Sequence, residues 1–133
     1  MIHDKDYILR MVQQLSEALS RLLLGNNEGI PQEEELAIET QIRNVFKCSK
    51  KELSEKPFKE ILSEIQSKPE SHQIGYYEVL GHFFFLQNRI EPSGDLAQKA
   101  KNFYQIWLEE SKIFSLVVMQ RLGELNQNKT GEI

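Results

Sequence analysis

The chain has one cysteine, Cys48, in 133 residues. No internal disulfide can form, which points to a reducing compartment. Histidine is equally scarce. His3, His72 and His82 share no ligand spacing: there is no His-x3-His, no His-Glu-x2-His and no Glu-x2-His, so a zinc or di-iron site is not expected. No activated nucleophile pattern or glycine-rich phosphate loop is present either, so the expectation is a protein without enzymatic activity, metal or cofactor. Positive charge is not in excess. A formal net charge of -4 gives no counterion-release drive toward nucleic acid. Unbroken apolar runs such as Leu22–Leu24 and Phe83–Leu86 are far shorter than a membrane span. The first residues, MIHDKDYILRMV, carry acids before their apolar part and no small-residue cleavage site, unlike a signal peptide. A cytoplasmic protein with no membrane or nucleic-acid partner is expected. Period-two alternation backed by turn signals is missing too, and the fold class expected is all-α.

With 40% hydrophobic and 27% charged residues, the chain has the composition of a folded domain, and its length suits one core. Its most apolar stretch, Ile74–Ile90, organises the rest. As a helix it carries two apolar stripes, Tyr76, Val79, Phe83 and Leu86 on one and Tyr77, Leu80, Gly81 and Phe84 on the other. Such a helix belongs among others and not on a surface. Its remaining stripe, Gly75, Glu78, His82 and Arg89, is polar.

About six or seven helices are expected, in a single domain with an N-terminal half near 4–67, a second half near 70–127 and a tail at 128–133. Asp4–Leu24 reads as the first, capped by Asp4 or Asp6 and closed by a left-handed Gly25. Ile8, Val12, Leu15, Leu19 and Leu22 recur at spacings of four and three, which suits either packing within the chain or a homodimer seam. After a loop at Asn26, Asn27 and Gly29, Pro31 suits the first turn of a second helix to Lys47. Glu33, Glu34 and Glu35 favour the positive end of that helix, and Leu36, Ile38, Ile42, Val45 and Phe46 form its inner side. Ser49-Lys50-Lys51-Glu52 has the form of a capping box. A short helix follows near Pro57, with Phe58, Ile61, Leu62 and Ile65 inward. Lys47, Lys50, Lys51, Lys56 and Lys59 make a basic cluster diluted by Glu52, Glu55 and Glu60, without aromatics for base stacking; it reads as solvated surface. Ser67–Ser71 is the clearest break. Beyond the central helix, Asp95 is expected to cap a helix with Leu96, Ala100, Phe103, Tyr104 and Trp107 inward. Phe114, Val117, Val118, Leu122 and Leu125 serve a last helix from about Ser111 to Gln127.

The pattern Tyr77-x2-Leu80-Gly81-x2-Phe84, then Ala100-x3-Tyr104, resembles the tetratricopeptide repeat. Gly81 and Ala100 are small where two antiparallel helices would nearly touch. The resemblance implies a helical hairpin plus a capping helix, with the first helix facing a groove for a peptide or partner segment. Ala100 stands 19 positions after Gly81, wider than the usual repeat, and no second copy of the signature is visible. The whole chain, opening on Asp6-Tyr7-Ile8-Leu9-Arg10-Met11 and carrying Phe114-Ser115 late, is also similar to an uncharacterised bacterial family. That likeness implies the fold and no activity.

The groove residues expected from this are Glu78, His82, Phe85 and Leu86, with Phe85 exposed as an anchor. Glu78 and His82 are placed to meet as an i,i+4 pair, which would raise the histidine pKa. Cys48 beside Lys47 has a setting that lowers a thiol pKa, but a structural role is the expectation for a lone thiol. The function expected is a protein–protein interaction module. A homo-oligomer built on the seam of the first helix is the alternative, and a small-ligand binder or enzyme a distant third.

Overall fold

A computed structural model describes residues 2–25 and 32–131, with side chains for 7–25 and 32–126. Among these residues there are seven helices and no strand: α1 (Ile2–Leu24), α2 (Gln32–Phe46), α3 (Lys50–Glu55), α4 (Phe58–Gln66), α5 (Glu70–Ile90), α6 (Gly94–Ser111) and α7 (Leu116–Gly131). Local chemistry sets several of their ends. The Ser49 hydroxyl accepts from the Glu52 amide at 3.1 Å, and the Glu52 carboxylate accepts from the Ser49 amide at 3.0 Å. This reciprocal pair starts α3. Ser93 caps α6, its hydroxyl accepting from Leu96. Asp95, the expected cap, lies in the first turn and pairs with Lys99 at 2.8 Å.

The centre of the molecule is α5, buried on nearly every side from Tyr76 to Leu86. Its flanks are set by identifiable contacts. Gly75 faces Val12, and Arg89 donates to the Leu23 carbonyl at 3.1 Å, so α1 runs parallel to α5. Gly81 lies against the Tyr104 ring, and the Asn88 side chain accepts from the Ser93 amide at 2.9 Å, so α6 returns antiparallel. Arg121 reaches His82, and Glu124 approaches Arg89 at 4.0 Å, so α7 also runs with α5. Phe103 joins the layers, stacking with Phe84 at 5.9 Å and meeting Phe58 of α4 at 4.9 Å between ring centres. One continuous apolar core draws on all seven helices.

Several expectations change. Leu36 faces solvent and leaves Ile38, Ile42 and Val45 as the buried side of α2. The last helix starts at Leu116, five residues later than the spacing suggested, because Ser115 caps it by accepting from the Val118 amide at 3.2 Å. Phe114 and Val117 therefore point outward, and only Val118, Leu122 and Leu125 of the expected stripe are core. Gly25 is not left-handed. Among the described residues the left-handed non-glycine positions are Lys47 and Lys112, with φ of 61° and 58°, following α2 and α6. Helix α1 begins at Ile2, so Asp4 and Asp6 lie within it and do not cap its start, while the loop at Asn26, Asn27 and Gly29 and the placement of Pro31 lie outside the described residues.

Two stability measurements follow from these contacts. A Cβ on Gly81 would overlap the Tyr104 ring, so Gly81→Ala should lose about 2 kcal/mol in chemical denaturation despite its better helix propensity. Lys47→Gly should gain about 0.5–1 kcal/mol in the same assay, since glycine takes the left-handed turn without a Cβ clash and loses part of that gain to unfolded-chain entropy.

Candidate functional site

The stripe expected to face a partner is covered by the chain itself. Phe85 is 3% exposed, and His82 and Leu86 are buried as well. Phe85 lies under two guanidinium groups, with the Arg89 and Arg121 carbons 5.0 and 5.4 Å from its ring centre. Only Glu78, half-buried, keeps substantial contact with water. Helices α1 and α7 fill the groove: Ser16 of α1 stands beside Glu78, and Arg121 of α7 covers His82.

Burying that stripe assembles a polar cluster. Tyr104 lies 2.8 Å from His82 Nδ1, while Arg121 Nη1 lies 3.0 Å from the Tyr104 oxygen and 3.2 Å from Nδ1. Arginine has only donors, so its hydrogen bond to Nδ1 requires the lone pair there and assigns the imidazole proton to Nε2. The Tyr104 hydroxyl then accepts from Arg121 and donates to His82. Nε2 faces Glu78 Oε2 at 3.9 Å, too far for a hydrogen bond. Burial and the Arg121 charge lower the His82 pKa to about 3. The expected rise from Glu78 is overturned because that carboxylate is distant and half-solvated, whereas the desolvation and the cation are immediate. Burial raises the Tyr104 pKa and the Glu78 pKa. Histidine, tyrosine and a carboxylate are the parts of an acid–base relay, but His82 and Tyr104 are buried, 5% and 0% exposed. The cluster instead ties α7 to the hairpin of α5 and α6. Arg121 forms no ion pair among the described residues, so its hydrogen bonds and the face of Phe85 hold it.

The seam on α1 is likewise occupied. Val12, Leu15 and Leu19 are buried in the chain's own core, Leu22 is half-buried and Ile8 is exposed. Three of its five side chains cannot meet a second copy unless the core opens. At Cys48, burial raises the thiol pKa more than Lys56 lowers it, so the setting beside Lys47 does not activate it. Among the described residues no group of His, Cys, Asp and Glu could hold a metal ion, and no helix is long and apolar enough to cross a membrane. An open cleft of about 200 Å³ lies among Phe85, Asn88, Arg89, Pro92, Glu124 and Leu125, but its one cation and one anion face each other.

What stands unsatisfied is apolar. Ile113, Phe114, Leu116, Val117 and Met119 all point to water, Phe114 with 79% and Leu116 with 61% of its surface. The backbone beneath them is fixed, since the Ser111 hydroxyl accepts from Ile113 at 3.2 Å and Ser115 caps α7. Tyr7, Ile8 and Ile74 are exposed near the starts of α1 and α5, and these helices are parallel to α7, so all of these side chains lie toward one end of the bundle. Sequence spacing missed the corner by counting Phe114 and Val117 as core. The available signal was Ser115, a residue suited to a cap in the middle of the assumed helix. No protein family, curated protein or solved structure matches the chain.

The buried imidazole should leave a signature in acid. Below pH 6.5 the unfolded chain protonates this histidine, and the folded chain does not until about pH 3, so stability falls as pH falls through that window. Between pH 6.5 and 5 the loss should be about 1.5 kcal/mol in wild type and absent from the corresponding slope of His82→Gln, read by urea unfolding at each pH. The raised Glu78 pKa acts in the opposite direction, easing the loss as the carboxylate protonates.

Proposed function

We propose that this chain is a non-catalytic protein–protein interaction module, acting in the cytoplasm, whose docking surface is the corner between α6 and α7. One observation carries the reading: five large apolar side chains within seven consecutive residues, 113–119, are exposed on a hydrogen-bonded backbone. Apolar surface gathered in this way is a marker of association, whereas single exposed apolar residues are ordinary. The groove beside α5 does not serve, because Arg121 and α1 fill it. Assembly through the seam of α1 is disfavoured by the burial of Leu15 and Leu19.

The test is a pull-down after chemical cross-linking, comparing wild type with a Phe114→Asp, Leu116→Asp double variant. Both positions are exposed, so helix content by circular dichroism should be unchanged. At least a tenfold loss of captured partner, a second copy included, is expected when charge enters an apolar contact. Equal recovery by the folded variant would remove the corner from function.

A further inference from the structure

We propose that the partner of this corner is a second copy of the same chain, joined with α7 against α7 across a twofold axis. The inference rests on the corner being the docking surface. Leu116, Met119 and Gly123 lie three and seven positions apart, on the outer face of α7 opposite Val118, Leu122 and Leu125. Gly123 has no role within its own fold: a Cβ there would meet nothing within 4 Å, and glycine weakens a helix relative to alanine. A glycine continuing an outward apolar stripe lets another helix approach closely. The occupant is therefore a helix with an apolar stripe of its own, and α7 of a second copy supplies both features.

Self-pairing also meets the demands of charge and area. Between Glu110 and Glu124 the only exposed charge is Lys112, since Arg121 is buried. Along residues 113–123 an antiparallel crossing of two copies therefore brings no exposed charge into the contact, so pairing buries no unpaired ion. The exposed side chains of residues 113–119 offer roughly 500 Å² of apolar surface. With a polar rim, that approaches the ~800 Å² per partner and ~65% apolar fraction of a homodimer interface.

Sedimentation velocity on the full chain, from about 1 to 100 µM, covers the affinity range of a modest interface. Wild type should shift from monomer to dimer across this range. Met119→Glu and Gly123→Gln should each weaken the dimer at least tenfold with unchanged circular dichroism, the second because bulk replaces a close approach that the monomer does not use. A wild type that stays monomeric, or variants that dimerise as it does, would overturn the self-pairing. If wild type is monomeric yet loses a cross-linked partner on Phe114→Asp, Leu116→Asp substitution, the interaction surface stands and only its occupant changes. If it is monomeric and captures nothing, both readings fall.

Discussion

The contact of Gly81 with the Tyr104 ring sets the terms for the other helices. Because residue 81 has no side chain, α6 settles close against α5, and the ring occupies the space a Cβ would take. That seating carries the Tyr104 hydroxyl to the edge of the hairpin, next to His82. A buried hydroxyl and imidazole need partners, since an unmade hydrogen bond in the core costs about 1–3 kcal/mol. Arg121 supplies a donor to both and brings α7 with it. The third helix of this half is thus positioned by polar chemistry as much as by its thin apolar stripe of Val118, Leu122 and Leu125.

This arrangement explains why the hairpin's inner face is closed. In a solenoid the groove-lining face stays open because neighbouring repeats bury the other surfaces. Here only one hairpin carries the signature, and α5 is apolar on more sides than α6 alone can cover. Helix α1 takes one flank and α7 another. The four residues suited to binding a peptide thereby become supports for neighbouring helices: Glu78 for Ser16, His82 and Phe85 for Arg121, and Leu86 for the core. A likeness of pattern carried the antiparallel hairpin well, because Gly81 and Ala100 report on close packing. Its open groove did not transfer, because openness depends on what else the chain must cover.

The same distinction separates what was legible from what was not. The two stripes of α5, the capping box at Ser49 and Glu52, and the inward set of α6 follow from periodicity and local hydrogen bonding, and all are present. Polar residues that end up buried were not legible. Lys99 lies at 3% exposure because it reaches the Ser54 carbonyl 45 residues away, and Arg121 because it meets His82 across the bundle. Spacing cannot reveal a partner supplied by another helix. Helix starts were the other weak point. Phe114 joins the apolar repeat only if the last helix begins before Ser115, and a single capping hydroxyl decides against it.

The two anomalies of the molecule are complementary. A cation, an imidazole and a phenol are taken into the interior, where each must be hydrogen-bonded to be tolerated. Large apolar side chains at residues 113–119 are left in water, where each forgoes the stabilisation of burial. Turning α7 to bury Leu116 and Met119 would carry Arg121 away from Tyr104 and His82, leaving the Tyr104 oxygen without the donor it accepts from and removing Val118 and Leu122 from the core. The orientation that satisfies the polar cluster is therefore the one that exposes the apolar stripe. The backbone under that surface is thus held by the fold itself, so the association proposed for it would need little further ordering, and ordered surfaces lose less entropy on association than mobile ones.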